Sequence, residues 1–164
     1  MFEILVYLYE TYYRPDTCPD SIALAKKLSA VGFDDEEIIA ALDWLRGLAD
    51  TTNNLSTVVQ DVALSTPSLF ESSGFRVYTD EEQSLLGAES IGYLHYLQGN
   101  QMLDSQQREI VIERAIAVDE APLSLSKFKV IVLMILWSQG RESDIMMFDE
   151  LLLADDETGT RLLH

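Results

Sequence analysis

Polar positions vanish from the chain between Val130 and Trp137, inside the stretch Phe128–Trp137, FKVIVLMILW. A segment that is apolar all round must be covered on all sides, so this one is expected at the centre of a core. Val130, Ile131 and Val132 would suit a strand, and a run of this length fits a buried strand or a buried helix. The helix is preferred. Ser124 or Ser126 can cap it, and Leu125 and Phe128 extend the apolar pattern upstream. Helical neighbours would also leave the backbone groups of a lone buried strand unpaired. The run falls short of the ~20 apolar residues that a membrane span needs.

The rest of the chain reads as what covers that stretch. Phe2–Tyr13 is a first helix, with Phe2, Leu5, Val6, Leu8, Tyr9, Tyr12 and Tyr13 on one side and Glu3, Tyr7 and Glu10 on the other. Pro15 and Pro19 break it. A short helix starts at Asp20 or Ser21 and runs through Ala30, and Gly32 ends it. Asp34 opens a third helix, with Glu37 placed for a capping box and with Ile38, Ala41, Leu42, Leu45 and Leu48 as its buried stripe. Trp44 lies at the edge of that stripe.

From Thr51 to Gly74 the pattern keeps no period, is rich in Ser and Thr and has no basic residue. It predicts a mobile linker, because a structureless loop of that length is unusual inside one compact domain. Val58, Val59, Val62 and Leu64 leave room for a short docking helical turn. Phe75–Tyr78 is a short extended piece. Thr79 with Glu82 is a second capping box, opening a helix to about Gln98 with Leu86, Ser90, Ile91, Tyr93, Leu94 and Leu97 inward. Gly87 and Ser90 on that face would allow a close helix crossing. Asp104 caps a helix over Ser105–Val118. Beyond the apolar stretch Gly140 breaks the chain, Glu142 to about Ala154 forms a last helix, and residues 155–164 are a polar, frayed tail. The expected fold is all-α, with two small helical subdomains joined by a mobile Ser/Thr-rich linker. The N-terminal three-helix subdomain is 1–50, the linker 51–74, and the C-terminal helical subdomain 75–154.

Charge narrows the functional classes. Of 164 residues, 28 are acidic and 11 basic, for a net charge of −17. Residues 1–50 carry ten acids against four bases, and residues 76–164 carry sixteen against seven, so neither half hides a basic module. Such a surface opposes non-specific binding to nucleic acid or to an anionic membrane. Cys18 is the single cysteine, which excludes an internal disulfide. The N-terminal stretch lacks a basic segment and carries Glu3 among its apolar residues, unlike a secretory signal. The expected location is cytoplasmic.

Candidate chemistry is sparse. His95 and His164 have no ligand-spaced His or Cys nearby, so neither a metal site nor a cofactor site is expected. Cys18 has no neighbouring His and lies between acids, which disfavours a thiolate nucleophile. No glycine-rich phosphate loop, EF-hand loop or nucleophile elbow is present, and no catalytic residue is assigned. The Ala25–Leu48 pair has the outline of a helix-turn-helix, but Asp34, Asp35, Glu36 and Glu37 stand where phosphates would sit. A plain αα-hairpin is the preferred reading, and the Gly32–Phe33 turn also has the shape of a ubiquitin-associated three-helix domain. Arg108 falls on the apolar side of its helix, while Glu109 and Glu113 share the solvent side. Three readings of Arg108 stand: a side chain snorkelling to water, a partly buried ion pair with a carboxylate of another helix, or a clamp on a ligand anion.

The residues taken together resemble the Smg family of small bacterial proteins. The resemblance rests on MFEILVYLYE at the start, GFDDEEIIAALDWLRGLAD from Gly32, RVYTDEE from Arg76, GYLHYL from Gly92, QREIVIERAIAVD from Gln107 and LSKFKVIVLMILW from Leu125. That family has no assigned function and brings no catalytic or binding residues. Its gene neighbourhood, near a DNA-processing protein of natural transformation and a DNA topoisomerase, implies a link of pathway rather than of mechanism. The expected function is a non-enzymatic, cytosolic protein-interaction or adaptor role. The alternative is an accessory factor in DNA metabolism that contacts nucleic acid or mimics its charge. The expected contact residues are Tyr7, Trp44, Tyr96 and Arg108, with the Val58–Leu64 segment. A protein partner is expected, without direct nucleic-acid binding, membrane association or cofactor. Whether Lys26, Lys27, Arg46, Arg76, Arg108 and Arg114 gather on one face separates the two readings.

Overall fold

The structure is a computed structural model; it describes residues 1–12, 19–63 and 76–139, with the backbone alone over 55–63. Among the described residues there are six helices and no strand: α1 Phe2–Thr11, α2 Ser21–Val31, α3 Asp35–Ala63, α4 Asp80–Gly99, α5 Ser105–Ile116 and α6 Leu125–Ser138. The all-α class expected from the sequence is the one observed. The expected helix over Glu142–Ala154, the tail, Cys18 and residues 64–74 of the expected linker lie outside the described residues.

The chain forms two compact units. One joins Met1–Asp43 to the chain from Leu123 onward, and the other is Trp44–Pro122. This differs from the expected division at residues 50 and 75. The boundary falls inside α3, and α6 belongs with the N-terminal helices.

In the first unit α6 is the apolar centre. Ser124 caps it, its side chain accepting from the Lys127 N–H, and Phe128, Lys129 and Ile131–Trp137 are buried. α1 packs on it, burying Ile4, Leu5 and Leu8. At the far end the Trp137 indole Nε1 donates to the Tyr12 carbonyl at 3.1 Å, so a large ring is buried with its one polar atom satisfied. α2 opens on Asp20, whose carboxylate accepts from the Ala23 N–H at 2.8 Å. It closes on Gly32 at φ 111°, a left-handed cap that glycine adopts without penalty. Leu24 and Leu28 of α2, and Ile38 and Ala41 of α3, are buried.

In the second unit α4 and α5 pack together, and both carry two-way capping boxes. Thr79 and Glu82 hold the start of α4. Asp104 and Gln107 do the same for α5, with bonds of 2.7 and 2.9 Å. Leu86, Ser90, Leu94 and Leu97 of α4 face the core, as do Ile110, Val111, Ile112 and Ala115 of α5. Gly87 departs from the expected role. It sits at φ 73°, ψ 163°, a kink inside α4, and a Cβ placed on it would meet nothing within 4 Å. The glycine serves backbone conformation, not a close helix crossing.

The largest correction is α3. It continues through Thr51 and Thr52 to Ala63, into the stretch expected to be a linker. Thr51 Oγ1 donates to the Gly47 carbonyl at 2.9 Å, and Thr52 Oγ1 to the Leu48 carbonyl at 2.8 Å. The hydroxyls that signalled a helix breaker bond back to the preceding turn instead.

Candidate interaction surfaces and the arginine network

Of the residues expected to make contacts, Tyr7 belongs to the first unit and Trp44, Tyr96 and Arg108 to the second. Tyr7 is half-buried, edge-on to the Phe33 ring at 5.7 Å. Tyr96 is 52% exposed on α4. Trp44 is not a surface residue: it is 5% exposed, and its Nε1 donates to the Arg114 carbonyl at 3.1 Å. That carbonyl lies near the C-terminal end of α5 and supplies the acceptor that lets the indole be buried. The wheel position of Trp44 could not reveal an acceptor seventy positions away.

Arg108 is paired. Its Nε donates to Glu109 Oε1 at 2.9 Å, and Nη1 reaches Gln98 Oε1 at 3.4 Å. The pair is with the adjacent residue rather than with another helix. Glu109, expected to face solvent, is also held by Arg76, whose Nε donates to both of its oxygens at 2.9 and 3.1 Å. Arg76 in turn grips Glu82 with two parallel bonds of 2.9 Å. Its guanidinium lies 4.9 Å from the centre of the Tyr78 ring, and Tyr78 meets His95 edge-on at 5.9 Å. Two arginines and two carboxylates therefore form one neutral cluster that ties the extended piece before α4 to the starts of α4 and α5.

The electrostatics follow from these contacts. The Arg76 hydrogen bonds, with the Thr79 N–H bonded to Glu82 Oε2 at 2.9 Å, pull the Glu82 carboxyl from its ordinary 4.5 down to about 2. Arg76 is raised further above its already high value by its bonds to Glu82 and Glu109. Burial pushes the Tyr78 phenol up, and its hydroxyl is buried with no hydrogen-bond partner among the described residues. The sequence showed Thr79 and Glu82 as a capping box. It held no signal that Arg76 would join Glu82 to Glu109, which lies in another helix.

Arg114 also differs from a free basic residue. Its Nη2 lies 3.1 Å from Glu113 Oε1, and its guanidinium rests where α3 offers Gly47 instead of a side chain. Glu113 accepts a further bond from Thr51 Oγ1 at 3.0 Å. In the first unit the Lys27 ammonium sits 5.7 Å from the centre of the Tyr12 ring. An open groove of ≈ 350 Å³ runs between α1 and α6, past Phe2, Val6, Tyr7 and Val130. Among the described residues no three of His, Cys, Asp and Glu are grouped to hold a metal ion, and no helix is long and apolar enough to cross a membrane.

The family model described as "Protein of unknown function (DUF494)" matches residues 1–161. A Protein Smg homolog of Herminiimonas arsenicoxydans is 55% identical over 165 residues, covering 100% of both chains. The chain belongs to the Smg family. Another Smg homolog, from Bordetella avium, is 51% identical with 99% of each chain covered, and one from Azoarcus sp. is 44% identical with both chains fully covered. No solved structure matches. Smg family membership bears out the resemblance read from the six sequence blocks.

Proposed function

We propose that this Smg family member is a non-enzymatic cytoplasmic adaptor that acts through protein–protein contacts. The observation that carries the reading is how its cations are used. Arg76 and Arg108, the arginines that come together, share Glu109, and Arg76 is doubly bonded to Glu82 as well. Non-specific nucleic-acid affinity needs clustered cations facing phosphates, and here the cluster is already neutralised by carboxylates. Apolar side chains remain on the surface instead: Val77 is 86% exposed, and Tyr96, Ile22 and Ile39 are exposed as well. Exposed aromatic and aliphatic groups on an acidic background suit a protein partner better than a phosphate backbone.

The test combines affinity capture from native lysate, with and without nuclease, and anisotropy titration against duplex and single-stranded DNA. Nuclease-resistant capture of a protein and no DNA binding at ~0.15 M salt, where the Debye length is ~8 Å, are expected. Micromolar or tighter DNA binding at that salt would overturn the adaptor reading and favour an accessory factor in DNA metabolism.

A further inference from the structure

Val130 is the one residue of the apolar run Val130–Trp137 that is not buried. A helix that is apolar all round leaves no reason for an opening on its own account. Val130 opens onto the groove between α1 and α6, whose floor is Phe2, Val6 and Tyr7 of α1 with Val130 of α6. None of these four is buried. Glu3 and Glu10, both exposed, stand along the α1 side of the groove. They are seven residues apart, which is two helical turns or ~10.5 Å along the axis. Across the groove Lys127 turns its ammonium onto the Phe2 ring, 5.5 Å from the centroid.

We infer that this groove is a docking site for a basic amphipathic helix of a partner protein. The apolar stripe of that helix lies on Phe2, Val6, Tyr7 and Val130, and two Lys or Arg side chains a heptad apart meet Glu3 and Glu10. An apolar floor beside an acidic rim, with Lys127 held on the Phe2 ring at the other side, is the chemistry by which grooves accept amphipathic helices. The sign of the charge selects the occupant. A second copy of this chain would bring a net charge of −17 against an equal −17. The chain beyond α6 carries seven acids against Arg141 and Arg161, a net charge of the same sign as the rim. A basic segment is favoured by the rim and by the long-range field of the whole molecule.

This assignment rests on the adaptor reading proposed above, and its test is kept separate. Two synthetic helical peptides of about 14 residues share one leucine stripe and differ only in two positions a heptad apart, Lys in one and Glu in the other. Each is titrated into the full chain by anisotropy, with backbone amide shifts mapped by NMR. The lysine peptide is expected to shift the amides around Phe2, Val6, Tyr7 and Val130, and to bind more tightly than the glutamate peptide. Glu3→Lys/Glu10→Lys is expected to weaken the lysine peptide by about tenfold and to improve the glutamate peptide. The control pair Glu81→Lys/Glu89→Lys, two exposed acids of α4 outside the groove, is expected to leave that preference in place. Shifts that fall away from the groove, equal losses in both double variants, or no binding by the lysine peptide would each overturn the proposal. So would self-association of the wild-type chain that the Glu3/Glu10 variant abolishes, since a second copy would then be the occupant. If the double variants fail to fold, the peptide preference and the shift map of the wild-type chain still decide. Failure here with nuclease-resistant capture intact removes the groove and leaves the adaptor reading standing. Loss of both removes the reading itself.

Discussion

At the scale of single residues, the decisive fact is that partners are shared unequally. Arg76 holds Glu82, whose side chain is 14% exposed, with two parallel bonds, and also holds Glu109, which is 41% exposed. Arg108 has Glu109 as its carboxylate and reaches Gln98, a neutral side chain, at 3.4 Å. Removing Arg108 therefore leaves Glu109 with Arg76 and with water, whereas removing Arg76 strands the mostly buried Glu82. Arg76→Ala is expected to cost about 1–3 kcal/mol in urea unfolding, and Arg108→Ala less than about 1 kcal/mol. Equal losses would mean that Glu82 does not depend on Arg76. The same bond sets an acid response. The Glu82 carboxyl is depressed in the folded state to about 2, from 4.5. Its contribution is thus complete above pH 4.5 and is lost as pH falls towards 2. By linkage that window holds at most ~3 kcal/mol. Glu82→Gln should be less stable than wild type at pH 6, and the gap should narrow through the window and close near pH 2. A gap that stays constant with pH would show that the charge of Glu82 carries none of it. The capping half of this cluster was legible, because Thr79 and Glu82 are three residues apart and the spacing itself states the geometry. The other half joins residues 33 apart, and no local spacing encodes it.

At the scale of elements, the starts of helices were the most legible features. Thr79 and Asp104 cap as expected, and of the alternatives Asp20 or Ser21 and Ser124 or Ser126 the caps are Asp20 and Ser124. Ends and interruptions were less so, for two physical reasons. Ser and Thr signal a helix end only when their hydroxyls take bonds that the helix needs, and in α3 Thr51 and Thr52 bond back to the turn before them. A glycine reads the same way in sequence whether it is a notch for a neighbour or a backbone hinge. α4 holds a pair that separates these cases. Gly87 has a positive φ of 73°, Gly92 does not, and neither would press a Cβ against any atom within 4 Å. Gly87→Ala should destabilise by about 1–3 kcal/mol through backbone strain. Gly92→Ala should stabilise by about 0.5–1 kcal/mol through helix propensity. Opposite signs in urea midpoints check this directly. A neutral Gly87→Ala would mean that the kink is not a constraint on the folded chain.

At the scale of the whole molecule, charge was legible from composition and the contact surface was not. The aromatic positions show why. Trp44, at the edge of its stripe, Tyr7, on the polar side of its helix, and Tyr96 were all expected at a contact surface, yet one is buried, one half-buried and one exposed. What separates them is whether another helix brings an acceptor or an apolar face to the ring, and that is a tertiary fact. Charge is different because Coulomb repulsion adds over every acid, wherever the fold puts it. With 28 acids against 11 bases the negative charge stays in large excess, and among the described residues Glu109 and Glu113 sit in partly exposed pairs. Such pairs contribute ~0–1 kcal/mol each, so screening them costs little. Screening the excess negative charge removes a term that opposes folding throughout. Raising monovalent salt from ~10 mM to ~150 mM shortens the Debye length from ~30 Å to ~8 Å. The urea midpoint is therefore expected to rise over that range, with an unchanged m-value because the surface exposed on unfolding is the same. A fall in the midpoint would mean that the paired charges, the Arg76 cluster first among them, outweigh the repulsion. In the Arg76→Ala variant, which loses the best-made of those pairs, the rise with salt should be larger than in the wild-type chain.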